Sequence, residues 1–571
     1  MMAILLLAVP LIAAICIAAS PRKASRWIAL AGSTLLLAIA VIAAAIFPAW
    51  GTAEFGHLFA WEFLPQFGIS LLLGCDSVAM MLILLNTVLM PLCVWGSFTA
   101  ILDRQREYYA WLMILAAAAN GVFLAKDLLL FYISFEFTLA PMFFLISLYG
   151  GANRDQAAMK FFLYTFTGSL VSLTGLLYVA WRFAAANGGW DFEIATLAPW
   201  AASNLDVREQ GLVMLALLAG FAVKVPVFPV HTWLPLAHTE APTAGSVMLA
   251  GVLLKLGTYG IYRFVLPMTP VAVVEYGPLV ATLSVIGIIY AGLICWVQDD
   301  IKKLIAYSSV SHLGFCVLGL LSLNPVGAQG SILYMINHGF STGALFLCIG
   351  MIYERLHTRD MGSMGGLAKR MPIWAFFMVF FTLSSLALPG LNGFVSEIYC
   401  VIGIFIAVPD ATNGYPGVLG PWYAVGAGLG MIVAAMYLLI MVGKVVFGPE
   451  RLPTGHGHEV HADSIRDLSP REIGVLAPLA VLCLLLGLQP KPFTDAMAGA
   501  VEGLLAVYPD LVIQQTGGVL VDAESTTHPI NPAVGQPVGQ PVGQPVTVEL
   551  IDGPADLHGL GALAVEEDLR G

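Results

Sequence analysis

The chain has 571 residues, 59% of them hydrophobic and only 11% charged, with a formal net charge of −11. Apolar segments of about 20 residues, the length needed to cross a bilayer, recur along it, which points to an all-α polytopic membrane protein; a barrel would need short alternating strands, and none is visible. Much of the acid lies in the C-terminal tail and so says little about a partner, and no basic patch suggests nucleic acid.

The N-terminal MMAILLLAVPLIAAICIAAS lacks the basic start of a signal peptide, and Arg22, Lys23 and Arg26 come after its apolar run. It is expected to stay as the first span. Fourteen spans are expected in all, at roughly 2–20, 27–48, 78–101, 108–125, 127–149, 160–185, 208–228, 240–264, 273–297, 301–322, 327–352, 372–407, 421–447 and 472–490. With the connections numbered in order, the odd ones hold sixteen Lys and Arg residues, and the even ones with the tail hold six. Cytoplasmic loops are enriched in Lys and Arg. The bias puts the odd connections inside and both termini outside.

Several ionisable residues interrupt these apolar runs. Glu136 lies in LLLFYISFEFTLAPMFFLI of the fifth span. Lys224 ends an apolar run and is followed by Pro226, Pro229 and Pro235, which should break the seventh span. Lys255 lies about fifteen residues into the next run, roughly 22 Å along a helix, too deep to reach water easily. His312 and His338 occupy neighbouring spans, and Glu397 follows Leu388-Pro389-Gly390-Leu391-Asn392-Gly393, a second interruption within the twelfth span. Lys444 in the thirteenth span is a further candidate.

A charge at the centre of a bilayer costs roughly 2.5–3.5 kcal/mol on insertion scales. Such groups usually face a protein interior or a water-filled path, with a partner. Lys224 is a plausible partner for Glu136, and the two histidines could bridge Lys255 to Glu397 through water. The bland alternatives are a snorkelling Lys224, a water-facing Glu397 and histidines that merely pack. The two broken spans are five apart and so run in opposite directions, the mark of an inverted repeat with ion sites near the midplane.

The eight cysteines form no CxxC pair, and most lie in apolar runs, where they read as small packing residues. His456, His458 and His461 have metal-like spacing but fall in a polar loop, where solvation is the simpler reading. No phosphate loop, dinucleotide fingerprint or haem-ligand pair is visible, so neither a metal nor a cofactor is expected in this chain. Residues 1–492 form the expected membrane domain. The tail, 493–571, should hold a short amphipathic helix near 495–507 and then the low-complexity AVGQPVGQPVGQPV, which favours an extended, unpacked chain.

KVPVFPVHTWLPLAHTEAPTAGSVMLAGVLLKLGTYGIYR, DDIKKLIAYSSVSHLGF and NHGFSTGALFLCIGMIYER resemble the antiporter-like membrane subunits of respiratory complex I, over about residues 70–450. The resemblance implies fourteen spans, an inverted repeat of five-helix units and one proton-translocating unit. By position it makes Glu136 the fifth-helix glutamate, Lys224 its partner in the broken seventh helix, Lys255 the connecting lysine and Glu397 the exit glutamate, with His312 and His338 on the central polar axis. The glutamate at 397 resembles one branch of these subunits; other branches, and many Mrp-type antiporter chains, carry lysine there.

The expected function is therefore proton translocation within a bacterial NADH:quinone oxidoreductase, beside other membrane subunits in the cytoplasmic membrane, with redox chemistry elsewhere. The alternatives are a subunit of a cation/proton antiporter and a structural membrane subunit that moves no ion.

Overall fold

Many of the membrane helices start on a residue that can cap them. Asp76, Asp127, Asp206, Asp300, Asn324 and Ser469 each accept hydrogen bonds from backbone amides of the first turn. Those amides have no partner inside the helix, so a side-chain acceptor fixes where it begins. Asp206 and Ser469 form reciprocal capping boxes with Glu209 and Glu472.

The computed structural model describes residues 1–64, 68–409, 415–453 and 465–516. All lie within one unit, Met1–Val521. His456, His458, His461 and the low-complexity repeat fall outside the described residues. Among the described residues twelve helices are long and apolar enough to cross a membrane: Met2–Ala19, Arg22–Ala45, Ser77–Gly96, Gln105–Leu124, Leu128–Tyr149, Arg154–Asn187, Thr243–Met268, Pro270–Trp296, Ile301–Leu321, Pro325–Leu356, Pro421–Val445 and Pro470–Leu488. The interrupted pairs Val207–Lys224 with Leu234–Glu240, and Pro372–Ser385 with Asn392–Ile406, complete the seventh and twelfth spans.

Two starts differ from expectation. The second span begins at Arg22, so Arg22, Lys23 and Arg26 sit in its first turns. The sixth begins at Arg154, so Lys160 lies within the helix, where it donates to the Thr232 carbonyl at 2.9 Å. Long basic side chains can reach the surface from an outer turn, so charge alone marks a helix end poorly. The second connection also carries an antiparallel ribbon, β1 (Gly56–Leu64) with β2 (Ile69–Cys75).

Contacts sort the connections to two ends. At one end Arg22 reaches Asp103 at 2.8 Å, Tyr149 donates to Arg104 O, Gly151 N to Glu240 O, Lys302 Nζ to Ala241 O, and Arg359 pairs with Asp300. These are all odd connections or the helix turns beside them. At the other end Lys126 N donates to Leu72 O, Leu128 N to Phe192 O, and Val271 N to the Gln210 side chain. Helices Lys491–Leu505 and Tyr508–Thr516 lie across this second end, held by Gly51 N on Ala496 O and by Tyr508 on Leu266 O.

The eighth and eleventh spans are buried along their whole apolar windows and the tenth nearly so, whereas the first, second and sixth expose most of theirs. The exposed side chains there are apolar, among them Ile15, Leu35, Leu163 and Leu170. A ring of apolar faces thus surrounds a buried centre, as a lipid solvent requires.

At the second break Ser385 ends one half-helix and Asn392 starts the next. A Cβ on Gly393 would lie 2.1 Å from Ser384 O. Asn337 of the eleventh span fastens the break, donating to Asn392 O at 2.7 Å and to Ser396 Oγ at 3.1 Å. Gly393→Ala should destabilise the fold by about 1–3 kcal/mol, the range for overpacking. A lower melting temperature of the solubilised protein is the expected reading; an unchanged one would show that the break relaxes freely.

Candidate functional site

The first half of the seventh span ends at Lys224 because Pro226 cannot donate to Ala222 O. Val227 N takes that carbonyl at 2.9 Å, and the Trp233 indole takes Val223 O at 3.0 Å. The break is thereby satisfied inside the protein, as membrane depth demands. Lys224 is 2% exposed, which rules out snorkelling. Its Nζ donates to Thr138 Oγ1 at 3.2 Å and stands 4.3 Å from the centre of the Phe135 ring.

No direct ion pair joins Lys224 to Glu136, contrary to the simple expectation. The reason is helical spacing. Phe135 and Thr138, three apart, share a face and turn it to Lys224; Glu136, two before Thr138, points the other way. Tyr132 and Ser169 face the Glu136 carboxyl, and its Oε1 has no hydrogen-bond partner. On the same helix Ile133 and Phe137 are exposed. Glu136 thus sits toward the rim of the chain and acts on Lys224 only through space.

Lys255 is fully buried in the eighth span. Leu249–Leu253 is a π-turn, in which Leu254 N donates to Leu249 O, five residues back. The wider turn leaves the Ala250 carbonyl open to the Lys255 amine, which donates to it and contacts His338 Nδ1 at 2.8 Å. A second π-turn covers Ile261–Val265. Such turns are rare and gather at functional sites. Between Lys224 and Lys255 the seventh and eighth spans press together at Gly257, where a Cβ would meet Phe221 O at 2.7 Å.

From His338 the polar line continues. The rings of His338 and His312 have centroids 5.9 Å apart. His312 Nδ1 lies 2.5 Å from the Tyr334 hydroxyl, and Tyr334 donates to Glu397 Oε1. His312 Nδ1 is itself 3.5 Å from Glu397 Oε1, and the Tyr437 hydroxyl faces His312 Nε2 at 3.5 Å. Glu397 is 3% exposed, so it does not face water at its helix end. Lys255, His338, His312 and Glu397 are brought together; Glu136 and Lys224 form a separate group with no hydrogen bond to them. Lys444 belongs to neither, being exposed in the last turn of its helix.

Sequence reasoning missed Thr138, Tyr334, Tyr437 and His238. Tyr334 had a signal, since it precedes His338 by four residues and must share its face. His238 is wholly buried, stacks on Phe346 with centroids 4.7 Å apart, and has no hydrogen bond at either ring nitrogen. Among the described residues no three His, Cys, Asp or Glu side chains are grouped to hold a metal ion.

Residues 125–411 match the family model described as NADH:quinone oxidoreductase/Mrp antiporter, transmembrane. The chain is 40% identical over 498 residues to the NADH-quinone oxidoreductase subunit M of Rhodobacter capsulatus, covering 86% of this chain and 92% of that one. Among solved structures it resembles a chain of respiratory complex I from Thermus thermophilus with bound NADH, at a TM-score of 0.77 and 28% identity, over 89% of this chain and 100% of that one. A chain of the Mrp complex from Dietzia sp. DQ12-45-1b shares the fold at a TM-score of 0.73 and 22% identity, over 90% and 98%. With this fold, two broken helices and a buried line of ionisable groups, the chain belongs to the antiporter-like transmembrane family of NADH:quinone oxidoreductases, on the side of the subunit M proteins.

Proposed function

We propose that this chain carries protons across a bacterial cytoplasmic membrane as one membrane subunit of an NADH:quinone oxidoreductase, with Glu136, Lys224, Lys255, His312, His338 and Glu397 as the groups that hold and pass them. NADH and quinone chemistry is assigned to other subunits, and neither a cofactor nor a metal to this one. The single observation behind the reading is the buried run from Lys255 through His338, His312 and Tyr334 to Glu397. Ionisable groups this deep cost too much to serve only as packing. Lys255, able to exist as amine or ammonium, sits between the group near the first break and the run to the second.

Each charge moved across 100 mV costs about 2.3 kcal/mol. That energy must enter from a partner. Glu136 is the natural port: it is half-buried, has an unpartnered oxygen and is flanked by exposed Ile133 and Phe137. Bare hydrocarbon is a poor neighbour for such a carboxyl, and a neighbouring membrane subunit covering it could shift its charge and so bias Lys224. The odd connections, rich in Lys and Arg, face the cytoplasm in this reading, with both termini outside. The low-complexity part of the tail is assigned no chemistry, and helices Lys491–Leu505 and Tyr508–Thr516 before it brace the second end of the bundle.

Lys224→Ala in the assembled complex tests this reading. Proton uptake per electron should fall while NADH oxidation continues in leaky vesicles; full stoichiometry would end the assignment. The antiporter reading rests on the shared fold, and sodium-dependent transport in the absence of electron-transfer subunits would favour it. A spacer that moves no ion would tolerate loss of both Lys255 and Glu397.

A further inference from the structure

Tyr334 stands one helical turn before His338 and is nearly fully buried. A phenol hydroxyl has a single proton to give. Tyr334 gives it to Glu397 Oε1. Its 2.5 Å contact with His312 Nδ1 must then be donated from the imidazole, by Nδ1–H. His312 Nε2 is left as the accepting nitrogen, and it faces the Tyr437 hydroxyl at 3.5 Å. The donors therefore point one way, from Tyr437 to His312 to Tyr334 to the carboxylate. His312 Nδ1 also lies 3.5 Å from Glu397 Oε1, outside the usual N–H···O distance of about 2.7–3.2 Å. The tyrosine oxygen is the shorter bridge.

Resting on the proton-translocation reading above, we propose that Tyr334 is a proton-relay residue through whose hydroxyl His312 discharges to Glu397. When His312 is doubly protonated, its Nδ1–H bond breaks and that proton joins the Tyr334 oxygen. The proton already on Tyr334 passes to Glu397 Oε1. Imidazolium and carboxylate become imidazole and carboxylic acid, and the tyrosine ends as it began. The hydroxyl also keeps His312 and Glu397 from closing from 3.5 Å to a direct hydrogen bond, which would hold the proton rather than pass it.

Other titratable groups face this cluster: Cys316 beside His312, His338 on the helix of Tyr334 with Lys255 against it, Cys400 beside Glu397, and Tyr437. None of them spans the gap between His312 and Glu397 as Tyr334 does.

The test uses the whole complex reconstituted in vesicles, with NADH-driven proton uptake and coupled turnover followed against pH. Tyr334→Phe should lower uptake by roughly a hundredfold or more, within the 10²–10⁴ that a positioned proton-transfer group contributes. Tyr334→His, whose imidazole can pass a proton, should recover part of it. 3-Fluorotyrosine at position 334 keeps the shape and makes the hydroxyl a stronger acid, so the pH profile should move to lower pH. That variant also guards against a misfolded Tyr334→Phe chain. Wild-type uptake in Tyr334→Phe, or an unmoved profile with fluorotyrosine, overturns the relay. Lys224→Ala is the reference: if it alone loses uptake, the relay fails and the translocation reading stands. If it too retains full uptake, the translocation reading fails first.

Discussion

Lys255→Ala should abolish proton uptake by this chain while leaving the protein in the membrane, and Lys255→Arg should fail almost as badly. The alanine variant removes the amine that joins the Ala250 carbonyl to His338 Nδ1. His338 Nε2 already has no partner, and its Nδ1 would lose the lysine. A water filling the vacated space can satisfy both polar groups, which is why assembly should survive. Water there cannot substitute for a group that holds a proton in place. Coupled turnover should fall by about a hundredfold, the lower end of what positioned proton transfer supplies.

The arginine variant separates two roles for the same charge. A guanidinium stays protonated in proteins and spreads its donors over a planar fork. If Lys255 is only a fixed positive charge, arginine should restore uptake. If Lys255 must release its proton and take it back, arginine should be nearly inert. Proton uptake in vesicles at matched NADH oxidation reads the difference directly, and restored uptake in Lys255→Arg would reduce Lys255 to an electrostatic post.

The spans were legible because each is a composition effect: a run of apolar residues ended by a charge, a proline or a capping side chain. Both breaks were legible for the same reason, since Pro226 and Pro389-Gly390 act on the chain locally. Burial of Lys224, Lys255 and Glu397 followed from where they stand in their apolar runs. What the one-dimensional pattern does not carry is facing. Glu136 and Lys224 look like partners because each lacks another in its own helix, yet Thr138 and Phe135 meet the lysine and Glu136 turns outward. Only rotation about the fifth helix decides this.

Tyr334 was readable in principle and Tyr437 was not. The first shares a face with His338 four residues on; the second reaches His312 from the thirteenth span, 125 residues away in sequence. The π-turn before Lys255 is likewise invisible in the sequence, because Leu249–Leu253 has no proline and no residue that demands a wider turn. Packing imposes it: the eighth span is squeezed by the seventh at Gly257 and by the third and eleventh at Gly251, where a Cβ would meet Leu89 Cδ1 at 2.5 Å. The consequence is chemical, since the turn frees the carbonyl that holds the Lys255 amine.

Arg355→Ala should be the most damaging change to stability, and for a reason separate from transport. Arg355 uses its full donor set. Nη1 and Nη2 each meet a Glu472 oxygen at 2.8 Å; Nε donates to Arg466 O, Nη1 to Met351 O and Nη2 to Asp467 O. The fork ties the end of the eleventh span, which carries His338 and Tyr334, to the start of the fourteenth. Glu472 is 6% exposed in its side chain, so removing the arginine leaves a carboxylate with no counter-charge, held only by the Ser469 amide and hydroxyl, and takes away the side-chain donor at the Arg466 and Asp467 carbonyls. Breaking a buried pair from one side costs roughly 3–5 kcal/mol, and the lower end applies because the arginine is 17% exposed. Arg355→Lys keeps the charge and loses the fork, so its loss should be intermediate. Thermal melting of the solubilised complex measures the order, and an alanine variant as stable as wild type would show that the fork does not bind these helices. Complex that survives the substitution should still take up protons at the normal ratio per electron, because Arg355 touches no group of the polar line. A drop in that ratio at normal assembly would mean instead that the eleventh span transmits strain from its end to His338.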